Sequence, residues 1–323
     1  MKSSCFYVSI FALLLATSTI SSASNAPSCD RNCLVQLADQ YFTAMVKHDP
    51  AGLALAAKFK YTENTATISL GDGLWVGASE VPTTFKIYAA DPVSGQVAFM
   101  GVMKEFGKSI LLALRIKVVN GKIVEIEHVV ARPFGPFDLT APSPHTFVVT
   151  PRAGLLETVP AAERMPRQEM LRIASSYFDS IEQTNGKVAP FADDCERHEN
   201  GGQTTTWKTP DPAADAATNA INVLGCAAQI DSGNLAYITR IRPRRLVVVD
   251  EEKGLVFGFP MFVHRGAVRS VKIFGVPGVT SQAKEFGPID LLAGEVFKIR
   301  GGKIHEIEAV GTLLPFGAAT GWE

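Results

Sequence analysis

The chain carries no surplus of either charge: 31 Lys and Arg stand against 32 Asp and Glu. No net field recruits nucleic acid or an anionic membrane, so neither is an expected partner. Past the N-terminus no apolar run approaches the roughly 20 residues that span a bilayer, and the mature chain reads as soluble. The G-x-S-x-G elbow, the phosphate-binding loop, a dinucleotide fingerprint following a strand and H-E-x-x-H are all missing. That excludes the commonest hydrolase, nucleotide and zinc-protease sites, and no tightly held cofactor is expected. There is no Asn-X-Ser/Thr sequon, so N-glycosylation is not expected. Cysteine is scarce, and Cys29 and Cys33 lack the second ligand pair that a zinc site needs, so no metal is expected.

What is present begins at the N-terminus. Lys2 precedes an apolar run from Phe6 to Ala16 and small residues through Ser21, Ser22 and Ala23, the layout of a signal peptide over residues 1–23. The run is too short for a membrane anchor, so the expected location is the secretory pathway or outside the cell. Cys5 leaves with that segment, and Cys29, Cys33, Cys195 and Cys226 remain in an oxidising compartment. Four cysteines allow three pairings. Clustering favours Cys195 with Cys226, a bridge whose loop of about 30 residues is worth roughly 3–4 kcal/mol on the chain-entropy model.

The remaining length suits two domains, and the chain resembles itself. Tyr41-Phe42 open a stretch reaching Glu63-Asn64, and Tyr177-Phe178 open one reaching Glu199-Asn200, at a constant offset of 136 residues. A tryptophan follows each pair, Trp75 and Trp207. NGKIVEIEHV at 120–129 is answered by GGKIHEIEAV at 301–310, and both copies close on Pro-Phe-Gly, at 133–135 and 315–317. Four ordered matches identify a duplication. In each copy an amphipathic helix comes first, with Leu34, Leu37, Ala38, Tyr41, Phe42, Met45 and Val46 on one face of the first. Strand-like runs follow, joined by turns at Asp91–Gly95 and Asn120-Gly121. This is an α+β layout, helices packed on one face of a curved, mainly antiparallel sheet. The expected units are residues 29–135 and 169–323, joined by a Pro-rich linker at 136–168. The second unit carries two insertions: an Ala-rich helical one at 211–230 containing Cys226, and a Gly- and Pro-rich loop around 266–290.

The segments CDRNCL, YFTAMVKHDPAGLALAAKFKYTEN, LGDGLW and NGKIVEIE resemble tandem nuclear transport factor 2-like, or SnoaL-like, secreted proteins of fungi and bacteria. The resemblance covers nearly the whole mature chain. It implies two cone-shaped units, each with a small-molecule pocket, and an activity of the cofactor-independent dehydratase, isomerase or cyclase kind. The chain is also similar to signal-bearing fungal proteins of tropolone sesquiterpenoid pathways. That likeness implies a hetero-Diels–Alder cyclase, in which dehydration gives a quinone methide that then adds to an olefinic terpene. The fold hosts carriers as well as enzymes.

The candidate site residues are those that place polar chemistry in apolar walls. Glu63-Asn64 and Glu199-Asn200, where each opening helix hands over to the first strand, pair a proton acceptor with an amide that orients a carbonyl. Their recurrence equally suits helix capping or strand pinning. His198 precedes Glu199, but neighbours on a strand face opposite ways. His128 stands among the apolar residues of its strand face, where copy two has Ala309, and a satisfied core histidine is the plain alternative. Glu125, Glu127, Glu306 and Glu308 recur in both copies and read as a solvated or interface face. Trp75 and Trp207 suit either ligand stacking or core packing. Arg240 and Arg242 suit either an enolate clamp or a basic surface edge. The expected function is therefore conversion of a small apolar molecule by Glu199, His198, His128 or Glu63. A non-catalytic carrier and a structural wall protein are the alternatives. The second copy, with its extra helical segment and bridge, is the expected working half, the segment lying over the mouth as a lid.

Overall fold

The computed structural model describes Met1, residues 29–132 and residues 150–323. The signal peptide, the first Pro-Phe-Gly and much of the linker lie outside the described residues. The protein is α+β, with two curled, mainly antiparallel seven-stranded sheets and few helices.

The first unit opens with α1 (Arg31–Val46), capped by the Asp30 carboxylate, which accepts from the Cys33 amide at 2.9 Å. Leu34, Ala38, Tyr41, Phe42 and Met45 are buried, while Leu37 and Val46 lie half-buried at the margins of the stripe. There follow β1 (Leu55–Glu63), β2 (Ala66–Thr67), α2 (Leu74–Gly77), β3 (Ala78–Glu80), β4 (Lys86–Asp91), β5 (Gln96–Glu105), β6 (Lys108–Val119) and β7 (Lys122–Ala131). The sheet order is β2-β1-β7-β6-β5-β3, with β4 also on β5; only β1 and β7 run parallel. Asn120 and Gly121, both at positive φ, turn β6 into β7 as the sequence predicts.

The second unit repeats this plan. A short α3 (Ala153–Leu156) precedes α4 (Arg167–Glu182), then β8 (Phe191–Glu199), β9 (Gly202–Gln203), α5 (Ala216–Asn222), α6 (Cys226–Asp231), β10 (Leu246–Asp250), β11 (Leu255–Gly258) and β12 (Met261–His264). The chain continues through β13 (Ser270–Lys272), β14 (Ser281–Ala283), β15 (Ile289–Arg300) and β16 (Lys303–Pro315). The large sheet has order β10-β11-β15-β16-β8-β9 with β12 on β15, and again the first strand, β8, joins the last, β16, in parallel. Both expected insertions are present, but the one at 266–290 is more than a loop. It contains the β13–β14 hairpin, whose Val271, Ile273 and Val276 pack on Ile221 of α5 in a small core of their own.

Period-two alternation buries each sheet on both faces. On β6, Leu112, Leu114 and Ile116 face the core under α1, whereas Leu111 and Ala113 face the other unit. The outward faces of the two sheets meet in a joint core that includes Phe85, Met100, Phe257 and Phe259. Leu155 of α3 belongs to the same core, so the described part of the linker is packed against the units it connects. The joint is clasped twice, by equivalent residues. Asp91 Oδ1 accepts from Ser94 N within its own turn, while Oδ2 accepts from Val249 N at 3.1 Å and Arg167 at 2.6 Å. Asp250 Oδ1 accepts from Lys253 N, while Oδ2 accepts from Ala90 N at 3.0 Å and Arg31 at 3.0 Å. Each arginine opens the first helix of one unit and each aspartate ends a strand of the other. Burial alone would raise Asp91, but its bonds from Arg167, Ser94 and Val249 outweigh that and hold it below the ordinary carboxylate value.

Where the sheets lie closest there is no room for a side chain: a Cβ on Gly294 of β15 would sit 2.3 Å from Ala113 Cβ. Gly294→Ala is therefore expected to destabilise the fold by about 1–3 kcal/mol through overpacking. Gly287→Ala, with nothing within 4 Å, is expected to be neutral or mildly stabilising. Denaturant midpoints of the two variants check the contrast, and equal midpoints would refute the close approach.

Candidate functional site

The interior of the first unit is full. Trp75 donates its indole N–H to the Tyr41 hydroxyl at 2.9 Å, and that hydroxyl meets His128 Nε2 at 3.0 Å. On the other side of the ring Nδ1 meets the Tyr61 hydroxyl at 3.3 Å, and Tyr61 donates to Glu63 Oε2 at 3.4 Å. A carboxylate only accepts, so Tyr61 spends its one proton on Glu63 and takes a hydrogen bond from Nδ1–H of His128, which leaves Nε2 to accept from Tyr41. Glu63 also accepts from Leu74 N at 2.7 Å and Arg132 at 2.9 Å. Burial would raise this carboxyl, but His128, Leu74 and Arg132 outweigh it and take it down to about 2. His128 and Trp75 are 0% and 1% exposed. Glu63, His128 and Trp75 are hydrogen-bonded and buried, which corrects the reading of these three as ligand-facing.

The second unit encloses an open space, and the equivalent residues say why. Register places Ala309 where β7 has His128, Gly311 where it has Val130, and Ala293 where β6 has Leu112. No tryptophan enters. Trp207 donates to the Gln203 carbonyl at 2.7 Å and does not line the cavity. The cleared space is a cavity of about 110 Å³, walled by Ile181, Leu235, Ile238, Phe262, Leu291 and Ala293. Leu235 and Ile238 come from the segment after α6, beyond the 211–230 insertion, and no residue of that insertion lines the cavity. The insertion is anchored by the Cys195–Cys226 disulfide; the second bridge joins Cys29 to Cys33. A larger depression of about 520 Å³ on the outer face of α1 is an open polar groove beside Gln36, Asp39 and Lys47.

Polar groups enter this cavity from four elements. Arg197, where β1 has Tyr61, is 5% exposed and bonds Gln229 at 2.5 Å, Thr204 at 3.1 Å and the Tyr177 hydroxyl at 3.4 Å. Glu199, half exposed at the rim, pairs with Arg197 at 3.3 Å. Glu295 of β15, where β6 has Leu114, is 2% exposed, and its Oε2 has no hydrogen-bond partner in the structure. Burial, and then the Glu199 charge, push its carboxyl up to about 8 against the smaller opposing effects of Arg197 and a Tyr177 hydrogen bond. At neutral pH it is a protonated acid. His264, at the end of β12, faces the same space, and its Nδ1 lies 3.1 Å from the Phe262 carbonyl. A carbonyl only accepts, so Nδ1 carries the proton and Nε2 is a bare acceptor. Burial lowers its pKa, which keeps the ring neutral. Tyr237 lies against the His264 ring with centroids 5.4 Å apart.

Of the residues singled out from sequence, Glu199 and Asn200 line the cavity. The Asn200 side chain serves the backbone, donating to the Gly311 carbonyl at 3.0 Å and accepting from its amide at 2.8 Å. Asn64 does the same to Val130. The Glu-Asn pairs thus end the first strands, not the helix-to-strand junctions, and the asparagines pin strands. His198 faces away, between Glu196 at 2.6 Å and Glu308 at 3.4 Å. Arg242 is paired with Glu182 at 3.0 Å, Arg240 is exposed, and neither lines the cavity. Glu127 meets Arg245 of the other unit at 2.7 Å, so this residue of the solvated-or-interface face lies between the units. Glu295, His264, Arg197 and Tyr177 are the residues that sequence reading missed.

A family model described as Domain of unknown function (DUF8021) matches residues 163–311. That span holds α4, the second sheet up to Gly311, and the whole cavity lining. No curated protein matches the chain.

Glu295 gives a pH signature. Its carboxyl is raised from 4.5 to about 8 by folding, so as pH rises the unfolded chain loses this proton first. The cost to the fold accumulates between those values and is complete above the higher one. Glu295→Gln is expected to match wild type near pH 4 and to exceed it by about 2–4 kcal/mol near pH 9. Urea midpoints across that range check the sign; a constant difference would show that Glu295 is ionised in the native protein.

Proposed function

We propose that the second unit is a cofactor-independent acid–base catalyst of the lyase, isomerase or cyclase kind, acting on a small and largely apolar molecule. The helix-then-curved-sheet order of each unit supports the nuclear transport factor 2-like reading. The observation that carries the chemistry is Glu295, a buried, protonated carboxyl with a free oxygen, in a cavity that also holds a neutral histidine and a carboxylate. Two groups whose surroundings push their proton affinities apart make an acid and a base. Glu295 donates to a leaving hydroxyl or developing oxyanion, and His264 Nε2 or Glu199 takes a proton from carbon or oxygen. Arg197, held on three sides, supplies a fixed positive charge.

The first unit is the scaffold that holds the second sheet in shape. At about 110 Å³ the enclosed space suits one compact molecule, so loss of water, double-bond migration and ring closure fit it directly. The two-partner hetero-Diels–Alder addition belongs to the same proposal only if the wall formed by Leu235, Tyr237 and Ile238 moves outward to admit the olefin. In either case the secretory context agrees with the two disulfides, and among the described residues no helix is long and apolar enough to cross a membrane.

The test is a panel of hydroxymethyl phenols and tropolones and β-hydroxy ketones, with and without an olefinic terpene, incubated with the mature protein and read by mass spectrometry. Dehydrated or cyclised product above the buffer control is expected. Glu295→Gln and His264→Ala are each expected to reduce its rate by about 10²–10⁴, while His128→Gln, in the filled unit, leaves it within about threefold. Tight binding with no conversion of any compound would replace the catalyst with a carrier.

A further inference from the structure

The unpartnered oxygen of Glu295 bears on what the cavity takes. The hydrogen-bond donors that line this cavity are the Glu295 carboxyl, the Tyr177 and Tyr237 hydroxyls and the Arg197 guanidinium, of which Tyr177 and Arg197 already bond each other. The apolar part of the lining, Ile181, Leu235, Ile238, Phe262, Leu291 and Ala293, offers none. We infer that the ligand of the second unit is a neutral carbonyl compound, a compact apolar ring or chain whose ketone or aldehyde oxygen accepts a hydrogen bond from Glu295. This rests on the acid–base reading of the same cavity and narrows it to a substrate class.

The case against an anionic ligand is one of charge balance. Arg197 is already matched by Glu199 at 3.3 Å, and its donors are engaged with Thr204, Gln229 and Tyr177. Lys284, the other cation near the rim, has its ammonium on Asn234 at 2.9 Å and Gln282 at 2.7 Å. A carboxylate sealed in here would face Glu199 with no unmatched cation, and a buried charge without its own partner is costly. A pure hydrocarbon is disfavoured too, since it would leave Glu295 Oε2 as a buried polar atom without a partner. A carbonyl oxygen satisfies the acid and adds no charge.

The groups facing Glu295 also set the pH response. They are Tyr177 on α4, Arg197 and Glu199 on β8, Tyr237 in the wall and His264 on β12, with Lys284 behind Tyr237. Tyr237 is raised to about 12 by burial, and His264 is lowered, so neither titrates between pH 7 and 9. Lys284, lowered to about 8 by burial, titrates in the same range as Glu295. A variant at position 295 separates the two.

The probes are cyclohexanone, cyclohexanecarboxylate and methylcyclohexane, which share a six-membered ring and differ in the group it carries. Binding to the mature protein is followed by ligand-observed NMR titration. The ketone is expected to bind at least about tenfold more tightly than either of the others near pH 6.5. Its affinity should stay flat to about pH 7.5 and fall about tenfold per unit above pH 8, as Glu295 loses the proton it donates. Glu295→Gln, whose amide still donates, keeps the ketone and abolishes the fall; Glu295→Leu weakens the ketone about tenfold or more and leaves methylcyclohexane no weaker. The inference is overturned if the ketone does not bind, if either other probe binds as well, or if ketone affinity is level from about pH 6.5 to 9.5. A fall that persists in Glu295→Gln also overturns it and points to Lys284. Binding is read without turnover. A ketone held in this way but never converted therefore removes the catalytic reading and leaves this one, and turnover confined to compounds without a carbonyl does the reverse.

Discussion

Everything else in the molecule rests on two carboxylates that each serve two units. Asp91 and Asp250 are both 2% exposed or less, and each spends one oxygen on its own turn and the other on the opposite unit. A buried carboxylate is tolerable only with its bonding complete, and here completion requires the partner unit's backbone amide and helix-opening arginine. The turns themselves are narrow: Gly95 and Gly254 are in the left-handed region, and a Cβ on either would run into a backbone carbonyl of the neighbouring strand. The clasp holds the two sheets face to face, and their outward alternation positions become interior. Neither unit, as built, has a second face fit for water.

That arrangement explains how one half was free to change. The first unit fills its interior with a tryptophan, two tyrosines and a histidine linked end to end, so it supplies a rigid surface for the joint and nothing for a ligand. The second replaces histidine by alanine, valine by glycine and leucine by alanine, which removes volume, and sets arginine and glutamate where tyrosine and leucine stand. Such exchanges would hollow and destabilise an isolated domain. Here the cavity wall lies on the side away from the joint, and Leu235, Tyr237 and Ile238, from the segment after the disulfide-anchored α6, form part of it.

The duplication was legible because an ungapped offset aligns helix, first strand and Glu-Asn pair, and because the last hairpin repeats almost letter for letter. The α+β order follows from the hydrophobic periods, the turns at Asp91 and Asn120 from their turn residues, and the Cys195–Cys226 pairing from clustering of the cysteines. Glu199 was found since the motif points to it. Its working neighbours were hidden for distinct reasons. Arg197 stands at the offset of Tyr61, so a position-by-position reading would have exposed the tyrosine-to-arginine exchange. Glu295 betrays itself only as an acid on the inward face of LLAGEVFKI, between Ala293 and Phe297, an anomaly that a motif search passes over. His264 stands at the offset that takes Asp91 to Asp250, opposite Glu105 of β5, but no motif on its strand singles it out. The identical letters of Glu63 and Glu199 carried no hint that one faces a filled interior and the other an empty one, since that depends on residues contributed by distant strands.

Gln229 links the covalent chemistry of this protein to its cavity. It lies one helical turn beyond Cys226, is 1% exposed, and holds Arg197 with its carbonyl while its amide is fixed to Thr204 and Asn222. The arginine, in turn, sits two residues from Cys195 on the same strand face. Oxidation of the two cysteines thus fastens α6 at the point that aims the guanidinium. Protein made in a reducing cytoplasm has the same sequence and the same strands but lacks this fastening, so the compartment in which the chain matures becomes part of what defines its binding site.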